Sequence, residues 1–257
     1  MKSINRGNST FEVLKAKDYI YVDKTKYLYN LIKDDGSYYF LSRPRRFGKS
    51  LTLSTLDAIF KGKRELFKGL YIDTLDYDWK EHPVIHIDFS DITYNSTEGL
   101  KDKIRNNLLF IAGVYGVILP DFYDYDEAFK FLIIELAKRE KVVVLIDEYD
   151  SLLNSNINNE NIEGIREVLR GFYSVLKASS ANIRFCFITG VTKFSKMSIF
   201  SSMNNLVDIS MSDEYSTMLG YTQEELEENF SEYIEKAVKD NKKNREEYLA
   251  QIKRWYD

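Results

Sequence analysis

Cysteine is almost absent from this sequence, which has one, Cys186, among 257 residues. A single thiol excludes an intramolecular disulfide and the cysteine spacing of a zinc site. Because Cys186 stands within an apolar run, we expect it to pack in the core of a protein from a reducing compartment. No signal-peptide-like apolar segment follows Met1, and no apolar run approaches the length of a membrane span. The sequence therefore predicts a cytoplasmic protein without a membrane segment.

An excess of positive charge is also missing, since the formal net charge is −4 and the pI is about 5.5. Proteins that coat nucleic acid need a broad surface of lysine and arginine, so that class is excluded, although a local basic patch is not. Apolar residues make up 44% of the chain, which argues against global disorder. The length suits one large α/β domain with a small appendage.

Five short runs rich in β-forming residues predict strands, and segments of helical periodicity separate them. The period is clear in the apolar residues at 100, 104, 108 and 111 and in those at 162, 165, 169, 172 and 176. Strands alternating with helices predict an α/β fold with a mainly parallel five-stranded sheet. The predicted strands are Tyr38–Ser42, Val84–Ser90, Val142–Asp147, Ile183–Thr189 and Leu206–Met211.

The last part of the chain differs from the rest. Thr222 and Glu225 form a capping box, and charged helical sequence without a strand follows to the end. We therefore expect one domain over residues 1–212. Residues 213–257 are then a helical segment, the start of a lid or of a linker to a missing C-terminal domain. The aromatic pair Trp255-Tyr256 beside the last residue favours a cut-short chain, with a docked terminus as the alternative.

A phosphate-binding loop is predicted where the first strand gives way to a helix. Gly-Lys-Ser at 48–50 matches the end of the G-x-x-x-x-G-K-[ST] motif, with Arg43 in place of the first glycine. Glycine permits the turn, the helix start and Lys49 attract phosphate, and the Ser50 hydroxyl is a ligand for Mg²⁺. The predicted nucleotide-binding residues are Arg43, Pro44, Arg45, Arg46, Phe47, Gly48, Lys49, Ser50 and Leu51.

Two carboxylates end the apolar strand Val142–Asp147. At the carboxyl edge of a parallel sheet, Asp147 can hold Mg²⁺ through its water shell, and Glu148 can orient and polarise an attacking water. An acidic turn alone is common, but the phosphate loop upstream makes the pair a predicted metal and catalytic site. Asp150 is a weaker candidate, more typical of a helix cap.

Thr189 ends another apolar run. If that strand lies between the first and third predicted strands, Thr189 faces the γ-phosphate as a sensor and joins Lys49 and Glu148 as a catalytic residue. A polar strand terminus is the alternative. Lys193 and Lys196 are within reach of phosphate or are surface lysines.

Together, these segments resemble the bacterial AAA-ATPase-like family over roughly residues 3–220. The matching segments are Tyr21–Thr25, Ser42–Ser50, Leu145–Asp150, Thr189–Lys196 and Ile199–Asn205. The resemblance implies a three-layer P-loop NTPase fold, AAA-like, with a strand inserted beside the strand that leads into the phosphate loop. It also implies that Val22–Thr25 lies near the base or sugar of the nucleotide, for which a helix cap at Asp23 is the alternative. Many family members carry a C-terminal domain that looks like a restriction endonuclease, and no such nuclease cluster is found in this sequence.

The sequence thus predicts a nucleotide-binding protein with ATP and Mg²⁺ as cofactors. The leading hypothesis is an ATPase that drives or gates an appended effector, and the alternative is a slow nucleotide-gated switch with little turnover. An arginine finger from a neighbouring copy, in an oligomer, would favour turnover, and Arg166, Arg170 and Arg184 are the candidates. Strong direct binding of nucleic acid is not expected.

Overall fold

The structure, a computed structural model, describes residues 1–5, 7–94, 96–156, 161–192, 199–200, 203–241 and 244–256. Strands alternate with helices over most of this range. The strands are β1 (Ser37–Ser42), β2 (Val84–Asp88), β3 (Val142–Asp147), β4 (Ile183–Gly190) and β5 (Leu206–Asp208). The helices are α1 (Phe11–Ala16), α2 (Thr25–Ile32), α3 (Lys49–Phe60), α4 (Thr97–Val114), α5 (Tyr125–Ala137), α6 (Ser151–Asn154), α7 (Ile162–Ala178), α8 (Gln223–Asn229), α9 (Ser231–Asn241) and α10 (Arg245–Tyr256).

The five strands form one sheet in the order β2-β3-β4-β1-β5, and every neighbouring pair is parallel. β4 lies between β1 and β3, so the strand that leads into the phosphate loop does not pair with the strand that carries the carboxylates. This arrangement confirms the α/β fold, the parallel sheet and the inserted strand that the sequence predicted.

Helices cover both faces of the sheet and make three layers. Along β3, Val142, Val144 and Ile146 join a core cluster with residues of α4, α5 and α7. Val143 and Leu145 face the opposite way, into a second cluster with residues of α1, α2 and α3. Side chains alternate across a strand, so a strand covered on both faces must be apolar throughout. The continuous apolar run of β3 is therefore explained.

Two strands are shorter than predicted because aspartates turn the chain away from the sheet. β2 ends at Asp88, whose carboxylate accepts a hydrogen bond from the Ser90 nitrogen at 2.8 Å at the start of a 3₁₀ turn. β5 ends at Asp208, whose carboxylate accepts from the Ser210 nitrogen at 2.9 Å. Such short-range bonds compete with the ladder of a sheet. The predicted ends at Ser90 and Met211 were therefore wrong.

After β5 the described chain is helical. The predicted capping box is present: the Thr222 hydroxyl accepts from the Glu225 nitrogen, and the Glu225 carboxylate accepts from the Thr222 nitrogen. Tyr215 and Met218 are buried in the α1–α3 core cluster, so this segment begins by packing on the same core. The domain boundary between residues 212 and 213 stays a prediction.

The first residues of the chain lie against the C-terminal helices. Tyr233, in α9, donates a hydrogen bond from its hydroxyl to the Lys2 carbonyl at 2.8 Å. The amino group of Met1 lies 3.3 Å from the Glu232 carboxylate. Among the described residues, no helix combines the length and the apolar character that crossing a bilayer requires.

Candidate functional site

The loop between β1 and α3 has the backbone of an anion-binding turn. Gly48 precedes the first residue of α3 and has a φ of 96°, in the left-handed region, where a Cβ is disfavoured. Arg46, two residues earlier, also has a positive φ of 66°. A left-handed turn that leads into a helix start presents backbone N–H groups and the positive end of the helix dipole to an anion.

Lys49 is the buried cation of this loop, with 5% of its surface exposed. Its ammonium group donates hydrogen bonds to the carbonyls of Arg43 and Pro44, both at 3.0 Å. An ammonium has three donors, so one remains for a ligand. Burial lowers the pKa of Lys49, and the nearby charges of Asp147 and Glu148 oppose that shift.

Asp147 and Thr189 lie side by side at the carboxyl ends of β3 and β4. Both are buried, and the Thr189 hydroxyl donates to Asp147 Oδ1, which also accepts from the Glu148 nitrogen at 3.0 Å. β4 pairs with both β1 and β3, which is the condition under which Thr189 was expected to act as a sensor.

Glu148 follows Asp147 and is half-buried. Burial raises the pKa of its carboxyl, and the charges of Asp147 and Asp88 raise it further, while Arg45 and Lys49 lower it. Asp88 is the partner of Asp147 in the register of β2 and β3. The carboxyl ends of neighbouring parallel strands thus place these acidic groups at one edge of the sheet, opposite the basic loop.

Arg43 is used differently from a phosphate ligand. Its guanidinium donates to the carbonyls of Ser42, at 3.1 Å, and of Ser210, beyond the end of β5. Its backbone nitrogen donates to the Gly190 carbonyl at 3.1 Å. The side chain therefore fastens the start of the loop on the β5 side of β1, and the backbone nitrogen fastens it on the β4 side. Arg45 and Pro44 are exposed.

A cavity of about 290 Å³ adjoins the loop on the side of α3. Part of its wall comes from the loop and the first turns of α3. The rest comes from the N-terminal segment and from the segment that leads into α8, so residues far apart in sequence enclose it. Its lining includes Ile4, Ile20, Tyr21, Val22, Lys24, Arg46, Phe47, Gly48, Leu51, Thr52, Met218, Tyr221 and Phe230.

A family described as "Predicted AAA-ATPase" matches residues 5–200 of the chain. The chain belongs to the AAA-ATPase-like family. An uncharacterized protein encoded in the 5′ region of vnfD in Azotobacter chroococcum mcd 1 is 38% identical over 261 residues, which cover 100% of this chain and 48% of that protein. The chain thus spans about half the length of this curated relative. A solved structure of the Drosophila ORC bound to DNA aligns with a TM-score of 0.33 and 12% identity, covering 83% of this chain and 95% of that one.

In this AAA-ATPase-like chain, hydrogen bonds link Asp147 to Glu148 and Thr189. Lys49, the first residue of α3, is near enough for the charges of Asp147 and Glu148 to act on its pKa, and Ser50 is the second residue of α3. No group of three or more histidine, cysteine or carboxylate side chains with metal-binding geometry occurs among the described residues. One hydroxyl and one carboxylate suit Mg²⁺, which usually takes few protein ligands and keeps several waters.

The remaining predicted nucleotide contacts divide into two groups. Arg46, Phe47, Gly48 and Leu51 line the cavity. Arg43, Pro44 and Arg45 do not line it. Lys193 and Lys196 lie outside the described residues.

The expected position of Val22–Thr25 near the base or sugar of the nucleotide stays a prediction. Val22 and Lys24 line the cavity. Asp23 instead accepts from the Thr25 nitrogen at 2.8 Å and from the Tyr71 nitrogen at 2.6 Å. Asp23 thus bonds to the first residue of α2, but the cap position is Lys24, one residue later than the alternative interpretation placed it.

Sequence reasoning missed the role of Asp150. The residue precedes α6, as a cap would, but its side chain makes no capping bond there. It instead binds the chain that follows β4, and it is completely buried. A third carboxylate, three residues beyond Asp147, was the available signal, but its partners are distant in sequence.

Proposed function

We propose that the chain binds ATP together with Mg²⁺ and hydrolyses it, and that hydrolysis drives or gates an appended effector. The observation that supports this most directly is the meeting of Lys49, Asp147, Glu148 and Thr189 at the N-terminus of α3. In this proposal Lys49 supplies positive charge for phosphate and Asp147 a metal ligand. Glu148 supplies a base for the attacking water, and Thr189 a hydroxyl that senses the γ-phosphate. Phosphoryl transfer needs little beyond such positioning and charge neutralisation.

Each residue has a stated task in this proposal. The third N–H of Lys49 binds phosphate oxygens, and the carboxylate of Glu148 orients the attacking water. Among the described residues, both hydrogen bonds to the Asp147 carboxylate go to Oδ1, so we assign Oδ2, with the Ser50 hydroxyl, to the shell of Mg²⁺. A bound Mg²⁺ would neutralise negative charge on the phosphate oxygens.

The cavity beside the loop is assigned to the base and sugar. It is continuous with the loop through Gly48, and its walls are mainly apolar and aromatic, as small-molecule sites usually are. Phe47 and Tyr21 are among the aromatic residues that line it. The geometry supports a nucleoside in this position without choosing between adenine and guanine.

A slow nucleotide-gated switch is the second candidate, supported by one contact. Lys24, in the cavity wall, donates to both carboxylate oxygens of Glu225 at 2.6 Å and to the Thr217 carbonyl at 2.7 Å. A nucleoside in the cavity would thus touch residues that hold α8 to the core. The curated relative is about twice as long as this chain, which supports an effector in the remainder of such proteins. The family resemblance implies an effector of nuclease type.

Nucleotide binding is tested by thermal unfolding with Mg-ATP and Mg-GTP. A ligand at a hundredfold excess over its Kd stabilises the native state by about 2.7 kcal/mol, and Lys49→Ala should remove most of this effect. Lys61→Ala, at the other end of α3, is the control and should keep it. If neither nucleotide stabilises the wild-type chain, the assigned site is wrong.

Hydrolysis is tested with Glu148→Gln and Asp147→Asn. Glu148→Gln keeps the shape of the side chain and should retain binding while turnover falls by about 10²-fold or more. Asp147→Asn should raise the Mg²⁺ concentration needed for binding. Strong nucleotide binding with negligible turnover in the wild-type chain would favour the switch over the ATPase.

A further inference from the structure

Asp150 is a fully buried carboxylate that the proposed hydrolysis does not use. Its partners are four neutral donors: the nitrogen of Val191 at 3.2 Å, the nitrogen and hydroxyl of Thr192 at 2.8 and 2.7 Å, and the amide of Asn154 at 2.9 Å. A carboxylate accepts about four hydrogen bonds and donates none. The acceptor capacity of Asp150 is therefore filled, mainly by the two residues that follow β4.

The bonds of Asp150 belong to a set that fixes two segments to each other. The Tyr149 nitrogen donates to the Thr189 carbonyl at 3.0 Å, and the Tyr149 hydroxyl donates to the Thr192 carbonyl at 2.7 Å. Thr189 in turn donates to Asp147. Residues 147–150 and 189–192 are thus joined at both ends. Thr189 bonds to Asp147 at one end, and Thr192 bonds to Asp150 at the other.

Gly190 shows how closely the two segments approach. A Cβ at this position would lie 2.4 Å from the Tyr149 ring and 2.8 Å from Asp150 Oδ1. The Gly190 carbonyl also accepts from the Arg43 nitrogen at the start of the phosphate loop. A shift of residues 190–192 would therefore displace both Thr189 and the start of the phosphate loop.

We propose that Asp150 is a positioning residue for ATP hydrolysis, which holds residues 191–192 so that the Thr189 hydroxyl stays on Asp147. This inference rests on the proposed function. Asp150 touches neither nucleotide nor metal in this scheme and acts through Thr189. An asparagine in its place has one acceptor oxygen. With that oxygen where Oδ2 lies, its N–H₂ group would face the Val191 nitrogen, so two buried donors would oppose each other.

The experiment compares Asp150→Asn with Asn154→Ala in the full chain. Asn154→Ala removes a donor to the same carboxylate but leaves the bonds to residues 191 and 192. At a temperature where both variants are folded by circular dichroism, Asp150→Asn should lose about 10- to 100-fold in kcat while KM stays within about twofold. Asn154→Ala should keep wild-type kcat. Thr192→Val, which removes one of the bonds to residue 192, should fall between them.

A second measurement does not depend on turnover. The Mg²⁺ concentration for half-maximal binding of a fluorescent ATP analogue should rise in Asp150→Asn, because Asp147 loses its fixed partner, and should be unchanged in Asn154→Ala. A folded Asp150→Asn with wild-type kcat and Mg²⁺ dependence would overturn the inference, and so would equal losses in Asn154→Ala. A wild-type chain that binds no Mg-nucleotide would instead overturn the proposed function itself.

Discussion

Glu148 has a backbone conformation that its residue type disfavours. Its φ of 48° lies in the left-handed region, which is uncommon for residues other than glycine, asparagine and aspartate. Such strain persists only where the surroundings impose it, and it clusters at functional sites. Here the Asp147 carboxylate holds the Glu148 nitrogen and β4 holds the Tyr149 nitrogen. The flanking bonds thus impose the turn that aims the proposed base.

Two of the left-handed residues of the site, Gly48 and Glu148, illustrate what a sequence can reveal. Gly48 could be predicted, because glycine in a G-K-S motif has a known conformational task. Glu148 could not, because its conformation depends on strands that meet only in the folded sheet.

His82 gives the folded state a dependence on pH. Its ring is buried, packs edge-on against Phe60 and bonds through Nδ1 to the Lys141 carbonyl at 2.9 Å. Burial lowers the pKa of His82, although that bond and Glu140 oppose the shift. The unfolded chain therefore takes up a proton at a higher pH than the folded one. Stability from this source is complete above the unfolded pKa of about 6.5 and is lost as the pH falls below it.

We expect the free energy of unfolding to fall between about pH 7 and 5.5, by at most about 1.4 kcal/mol per pH unit from His82. His82→Gln should reduce this slope, measured by urea unfolding at several pH values. His86→Gln, at the other histidine of the chain, measures how much of the pH dependence of unfolding comes from that residue instead. An unchanged slope in His82→Gln would contradict the assignment.

At the scale of the elements, α8 is tied to the start of α2 by the Lys24–Glu225 ion pair. Both side chains are largely buried, with 11% and 23% of their surfaces exposed. Glu225 also completes the capping box of α8. The first turn of α8 is therefore ordered by a local capping bond and a distant charge together.

A double-mutant cycle should give this pair a coupling energy of about 1 kcal/mol, more than an exposed pair provides. Lys24→Met and Glu225→Gln suit the cycle, because glutamine keeps an oxygen for the Thr222 nitrogen. The Lys138–Glu135 pair, whose lysine is 64% exposed, is the control and should give about 0.5 kcal/mol or less. Equal coupling energies for the two pairs would mean that burial adds nothing to the Lys24 contact.

Elements with a strong local signal were predictable, and contacts between distant elements were not. The β3 run, the period of α7 and the box at Thr222 each specify an element within a short window. The cavity is different, because Ile4, Leu51 and Phe230 come from three separate parts of the chain. No periodicity reports such a meeting, so the loop between β1 and α3 could be predicted from the sequence and the cavity beside it could not.

At the scale of the whole molecule, the three candidate arginine fingers differ in how firmly the fold holds their side chains. Arg184 donates to the carbonyls of Ile32 and Asp34 and pairs with Asp35, at the amino end of β4 and away from the phosphate loop. It is held by the fold and is a poor finger. Arg166 and Arg170 are more exposed and contact Glu163 on their own helix. If a neighbouring copy supplies a finger, α7 is the better source.

The chain by itself should bind DNA weakly. Its net charge is −4, and Lys49, at the centre of its basic loop, is buried and bound to loop carbonyls. Tight binding needs several phosphate contacts, whose affinity falls by roughly 10³–10⁵ between low and moderate salt. We therefore expect no sub-micromolar binding of single- or double-stranded DNA at physiological salt, measured by fluorescence anisotropy with and without Mg-ATP. Tight binding with a steep salt dependence would reveal a surface that the charge distribution does not suggest.

The position of β4 also governs when the molecule can fold during synthesis. β1 is the first strand to be made, but it pairs only with β4 and β5, the last two strands. β2 and β3 pair with each other and can associate earlier. Closing long loops before any pairing is gained slows folding. The phosphate loop, which follows β1, therefore acquires its neighbouring strand β4 only after Ile183–Gly190 has been synthesised, so we expect its folded form to arise late in translation.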